Sequence, residues 1–183
     1  MEGGRNSLGL IAGALLTVSL FLPWYELNGN LDGREVQWKV YPLWQQYDET
    51  TLKLVFSGRW DKPPTSSVLT LQPIAIIIII ISALAKTWTK RALGLTIGTT
   101  LMMICLGVFV QGWTRITVFS GLPPPSSETS YDSSFLKSQW SLGIFISGIG
   151  LIFTLLAAWL EVWRIIISLG KKAIESVAKR PTG

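Results

Sequence analysis

The chain has no histidine, one cysteine and few charges: lysine and arginine number 16, aspartate and glutamate 11, among 183 residues. Without histidine the commonest metal ligand, the usual haem ligand and the commonest general base are all missing. No metal and no cofactor is therefore expected. The lone thiol, Cys105, has no partner in the chain for a disulfide, and its place inside an apolar segment reads as a small core residue. The charges that do exist are unevenly spread. Four stretches carry none, and with 49% hydrophobic residues and a mean hydropathy of +0.42 the chain has room for one integral membrane domain over residues 1–183.

The uncharged stretch from Val68 to Ala85 organises the rest. It holds six consecutive isoleucines, Ile76 to Ile81, and ends against Lys86, Lys90 and Arg91. As a helix it would run about 27 Å, close to the roughly 30 Å of a bilayer core. Being apolar all round, it has no stripe by which to sit on a soluble core. Comparable runs place four spans at about 6–25, 68–86, 92–113 and 141–163. The first follows Arg5 as a signal peptide would, yet it continues through Pro23 and Trp24 with no small-residue cleavage site, so it reads as a retained span. Gln72, beside Pro73 at the entry to the second, reads as interfacial. Small residues four apart, Gly9 and Gly13, Gly94 and Gly98, Gly143 and Ser147, would let neighbouring helices approach closely, although such pairs also arise by chance.

Between the spans lie two larger connections, 26–67 and 114–140. The first alternates: Val36, Trp38 and Val40 share one face, Gln37 and Lys39 the other, and Leu52, Leu54 and Phe56 repeat the period. Turns are expected at Asn28-Gly29 and Asp32-Gly33, giving two or three short strands. A hairpin alone is marginal in water, so this sheet must lean on the helix ends or on a strand from the second connection. There Arg115 to Ser120 alternates as one further strand, followed by a mobile proline- and serine-rich stretch reaching Ser134. Trp24, Trp38, Leu43, Trp44 and Trp60 are the expected anchors of the sheet at the membrane interface.

Charge bias orients the whole. Arg5, Lys86, Lys90, Arg91, Arg164, Lys171, Lys172, Lys179 and Arg180 give nine cations on one side against three acids, while the other side has seven cations against eight acids. By the positive-inside rule both termini are cytoplasmic and both large connections face outward, a multi-pass protein of the cell membrane. The pI near 9.5 follows from that topology, and no nucleic-acid partner is expected. Glu161 and Arg164, three apart at the end of the fourth span, read as a boundary pair; a functional intramembrane carboxylate is the sharper alternative. In the segment 164–183, Ile166, Leu169, Ala173, Ile174 and Val177 fall on one helical face and Lys171, Lys172, Lys179 and Arg180 crowd the other. This is an amphipathic basic tail for an anionic leaflet, or a solvated end that frays. Leu8-Gly9-Leu10 with Gly13 is echoed by Leu93-Gly94-Leu95 with Gly98, as a duplicated hairpin or small-residue packing alone would produce.

The fold class expected is thus an all-α membrane protein, a bundle of four transmembrane helices with a small extracytoplasmic β-sheet built from the two outer loops. In topology it resembles the claudin-like four-span membrane proteins. Those have a tryptophan just after the first span and a Gly-Leu-Trp about twenty residues on; here Trp24 is followed by Pro42-Leu43-Trp44, and the cysteine pair that usually follows is absent. The resemblance implies a left-handed bundle capped by the sheet, and a role in adhesion, barrier formation or support of a partner membrane complex.

Three functions are weighed. The first is a non-catalytic structural, adhesion or accessory subunit, bound to lipids and to a homo-oligomer or larger membrane complex. A small-solute transporter or channel is the second; with no charge in the four cores, only Gln72, Gln111 and scattered hydroxyls remain to carry it. An enzyme using Asp48 and Glu49 is the third, and adjacent strand residues point to opposite faces, which argues against a cooperating pair.

Overall fold

A computed structural model describes residues 5–31, 33–47, 70–120, 128–131 and 134–178. The order is α1 (Ser7–Ser19), β1 (Tyr25–Leu31), β2 (Arg34–Val40), β3 (Gln45–Tyr47), α2 (Leu71–Leu84), α3 (Trp88–Ser120), β4 (Glu128–Tyr131), β5 (Ser134–Trp140) and α4 (Leu142–Ala178). The four helices close into a ring, α1 against α2, α2 against α3, α3 against α4 and α4 against α1, each antiparallel to its neighbours. This is an up-down-up-down arrangement in which only α2 and α3 are joined by a short connection. Two helices, over Trp88–Gln111 and Leu142–Glu175, are long and apolar enough to cross a membrane. The other two are shorter apolar helices.

α1 stops earlier than expected. Asn6 caps it, its side-chain oxygen accepting from the Gly9 amide at 2.9 Å, and the helix ends at Ser19. The reason lies at Pro23, which disfavours helical geometry in the residue before it. Leu20 to Trp24 form the corner through which the chain passes directly into β1. The isoleucine run in α2 is divided by its own period: Ile76 and Ile79 are buried, while Ile77 and Ile81 are exposed. Leu16 and Leu20 of α1, Leu95 and Met102 of α3, and Ala157 and Ala158 of α4 complete that core.

The sheet has five antiparallel strands in the order β3-β2-β1-β5-β4, so both connections contribute. Three expectations are corrected here. Arg115 to Ser120 is not a strand but the last turns of α3, since six residues of β-branched alternation cannot oppose a helix already propagating into them. The second connection supplies two strands, β4 from within the stretch expected to be serine-rich linker and β5 from its end at Ser134 onward. Asn28-Gly29 lies within β1, opposite Gln37 and Val36, and the hairpin turns instead at Gly33, whose φ of +77° suits glycine. The strand expected around Leu52 to Phe56 lies outside the described residues.

Candidate functional site

Two polar-to-apolar junctions, one at each end of the bundle, are the places where this fold could do work. At the sheet end, register puts Tyr25, Leu27, Val36, Trp38, Val40, Ser138 and Trp140 on the face toward the helices. All but Trp140 are buried. Trp24 joins the two layers. Its backbone extends the sheet in both directions, with its amide donating to the Val40 carbonyl at 2.7 Å and its carbonyl accepting from the Ser141 amide at 3.0 Å. Its indole N–H donates to the Ser19 carbonyl at 3.0 Å, and its ring meets Phe109 of α3 edge-on with centroids 4.9 Å apart. Phe109 in turn touches Trp140, and Tyr25 stands edge-on to both Trp38 and Trp140. Burial lifts the Tyr25 phenol to about 12, with a hydrogen bond to Ser138 working the other way.

Gly143 makes this junction possible. A Cβ there would lie 2.5 Å from the Trp24 ring and 2.7 Å from the carbonyls of Leu22 and Pro23. The Gly143 amide donates to that Pro23 carbonyl at 2.9 Å, so α1–β1 and β5–α4 are stitched together where strand becomes helix.

The opposite face of the sheet is polar. Three rows cross it in register, all polar but for one phenylalanine position: Lys39, Glu26 and Gln139; Gln37, Asn28 and Lys137; Glu35, Asn30 and Phe135. Glu26 accepts from Gln139 at 3.4 Å and from the Ser141 hydroxyl at 3.1 Å. Asn28 and Asn30 hold side-chain oxygens with no hydrogen-bond partner among the described residues. Beside this face an aromatic rim is exposed: Trp44 stacks on Tyr41 at 4.6 Å and leans toward Phe21 at 6.3 Å, with Leu43 also exposed. Trp38 does not join the rim; it is buried, and its indole donates to Gln45 at 3.0 Å. Trp60, like Asp48 and Glu49, lies outside the described residues.

Among the small residues, Gly9 and Gly13 of α1 face Ala83 and Ile80 of α2, and Gly94 and Gly98 of α3 face Ser82 and Ile79 of that same helix. A Cβ at Gly98 would sit 2.5 Å from Ile79. Both glycine pairs therefore close on α2, from its two sides. Ser147 is buried on α4 with its hydroxyl unpartnered.

At the far end, Glu161 makes the expected pair with Arg164, and it is fully buried. One carboxylate oxygen accepts from the Asn6 amide at 2.8 Å, lies 3.4 Å from the Arg91 Nε and takes Arg164 at 3.0 Å. Arg91 is itself buried, so the expected surface turn of three cations places one of them inside, while Lys86 and Lys90 stay exposed. Asn6 also donates its backbone amide to the Ala83 carbonyl at 3.1 Å and its side chain to the Ala157 carbonyl at 3.4 Å. All four helices meet in this knot. Past it, α4 continues unbroken to Ala178, so the basic tail carrying Lys171 and Lys172, both exposed, prolongs the fourth helix. Lys179 and Arg180 lie outside the described residues.

Sequence reasoning missed Asn6 and Arg91. The available signal was Glu161, a lone carboxylate in an otherwise apolar run, which needs a buried cation or amide wherever it points inward. Gln72 is wholly buried on the inner face of α2, and neither side-chain polar atom has a hydrogen-bond partner among the described residues. No protein-family model matches the chain, and no curated protein sequence is similar to it.

Proposed function

We propose that the chain is a non-catalytic four-span membrane protein, with both termini cytoplasmic, that holds a rigid polar platform on the outer face for a protein partner. The observation that carries this reading is the Trp24 junction. A connector needs no sheet, whereas a sheet welded by backbone bonds and an aromatic stack to two helix ends keeps its outer rows in fixed register. Amides and nearly balanced charges on those rows suit a polar protein surface better than an ionic ligand.

The bundle's exterior supports the membrane placement. Ile11, Val18, Ile77, Ile81, Leu93, Ile97, Phe145, Ile149 and Ile152 are all exposed, a patch no monomer in water would leave open. Within this girdle, threonine hydroxyls are returned to the backbone: Thr96 to the Ala92 carbonyl at 2.8 Å and Thr100 to the Thr96 carbonyl at 2.9 Å. In lipid such groups have no water to turn to. Exposed aromatics mark both ends, Phe21 and Trp44 at one and the stacked Trp159 and Trp163 at the other. From Leu142 to Trp159 is about 26 Å of helix, a hydrocarbon thickness. The cations cluster at the Trp159 end, which orients it to the cytosol. The claudin-like resemblance fits the same role. A conducting role loses one of its residues, because Gln111 is exposed on α3.

Photo-crosslinkers at Gln37, on the platform, and at Leu93, on the girdle, test both halves in native membranes. Discrete protein adducts from position 37 and lipid adducts from position 93 are expected. Lipid or no adducts from position 37, together with a monomeric solubilised protein, overturn the partner role; water-soluble behaviour with no lipid adducts overturns the membrane placement.

A further inference from the structure

Contacts between the helices fix their relative heights. Gly9 of α1 lies level with Ala83 of α2 and Leu95 of α3, and Leu16 lies level with Gly150 of α4. Counting outward from these at about 1.5 Å per residue brings Ser19, Gln72, Cys105 and Ser147 to one cross-section, some 15 Å toward the sheet. All four are wholly buried. One helix after another thus contributes a polar or polarisable side chain to the same layer; further from the sheet the buried Thr99 and Thr154 return their hydroxyls to the carbonyls of Leu95 and Gly150.

Two members of the layer are satisfied differently from the other two. The Ser19 hydroxyl donates to the Leu16 carbonyl at 2.7 Å, and Cys105 has interactions of its own. Gln72 presents an amide oxygen and an amide nitrogen, and Ser147 a hydroxyl, with no hydrogen bond to any of the three. They belong to α2 and α4, which stand diagonally across the ring. With neighbouring axes about 8–10 Å apart, that diagonal is about 11–14 Å, within the combined reach of a long amide, a short hydroxyl and one small molecule between them. Buried amides and hydroxyls are nearly always hydrogen-bonded, and leaving a whole glutamine amide bare in an apolar medium is among the costlier arrangements a core can hold.

We propose that Gln72 and Ser147 form an internal binding site for a small uncharged ligand that both donates and accepts hydrogen bonds, with water as the occupant. The site offers two N–H donors, a carbonyl acceptor and a hydroxyl able to do either, the set that ordered internal water uses. Among the described residues no charged side chain lies in the layer, so the site suits an uncharged occupant. Trp24 and Phe109 lie on its sheet side, and Leu16, Ile76 and Met102 lie about one turn away on the other, so the layer sits between two apolar clusters. The site is independent of whatever docks on the sheet.

The test uses the full chain in lipid nanodiscs, with glutamine side chains labelled with nitrogen-15. The Gln72 amide protons are expected to show a cross-relaxation peak to long-lived water, assigned by its disappearance in Gln72→Leu and weakened in Ser147→Ala. Unfolding midpoints should fall in each single variant, and the double variant should lose less than the sum of the two, because one ligand links them. Ser147→Ala removes a single oxygen and keeps the test open if Gln72→Leu does not fold. A dry site overturns the proposal: no water peak at Gln72, a midpoint raised by Gln72→Leu, and strictly additive effects.

Discussion

The two ends of the bundle are closed by opposite chemistry. At the sheet end, Trp24, Phe109, Tyr25 and Trp140 interlock and the backbone carries the polar bonds. At the far end a single carboxylate, Glu161, is shared by an amide and two guanidinium groups, of which Asn6 and Arg91 are buried and Arg164 is exposed. Packing of the first kind is distributed over many weak contacts, so losing one loosens it. An ionic knot is concentrated: while intact it contributes little net stability, because desolvation offsets most of the attraction, yet losing one member strands a buried charge. The value of such a knot is register. It holds only when α1, α2, α3 and α4 meet at Asn6, whereas apolar helices in lipid could slide by a turn at small cost.

The largest effects come from breaking each end in turn. Glu161→Leu leaves Arg91 buried without its carboxylate and should destabilise the protein by about 3–5 kcal/mol. Trp24→Ala should cost a similar amount, about 3–5 kcal/mol, as a truncated buried aromatic. What separates them is rescue. Arg91→Leu added to Glu161→Leu should recover more than half the loss, since an apolar pair replaces an ionic one, while Phe109→Leu added to Trp24→Ala should deepen it. Unfolding midpoints in one detergent give all four values. If the charged pair behaves additively, the knot is not the unit described here.

The two ends also differ in how far they could be read from the chain. Trp24 announces itself by place, directly after an uncharged run and beside Pro23, and the alternation of Val36, Trp38 and Val40 already separates the faces of β2. Both are local signals of burial with a fixed period. The knot has none. Asn6, Arg91 and Glu161 are 85 and 70 residues apart along the chain, and Arg91 looks identical in sequence to its exposed neighbour Lys90. Which cation turns inward depends on the rotation of α3 against α2, a tertiary quantity. The same holds for Gln72, whose position beside Pro73 suits an interface as well as an interior. β4 and β5 were missed for another reason: a serine-rich strand has no apolar stripe, and it forms because β1 offers it an edge.

A smaller effect tests the glycine seams that set both ends at their distance. Leucine at Gly98 would press on Ile79 and the Ala75 carbonyl and should cost about 1–3 kcal/mol. Leucine at Gly107, on the same helix with open space around it, should cost almost nothing beyond its own helix preference. Equal losses at the two positions would remove the argument that α2 is gripped from both sides.

The smallest effect concerns the sheet end alone and is read by raising the pH. Tyr25 holds its proton up to about 12 when folded, against 10.0 for an unburied phenol. The folded state therefore prefers the neutral ring. Its contribution is complete below pH 10, begins to fade once the unfolded chain can ionise, and is lost as pH rises through the folded value. At pH 11 the loss should be about 1 kcal/mol, from the roughly 1.4 kcal/mol that each pH unit of difference represents. Tyr25→Phe should flatten this part of the stability curve and leave the rest unchanged, because the far end of the bundle has no group that titrates in that window and is touched by the substitution. A phenolate absorbance that grew in near pH 10 with the protein still folded, and that was missing from Tyr25→Phe, would show instead that the junction under the sheet admits water, and the contrast between a dry, packed end and an ionic, register-setting one would fail at its apolar half.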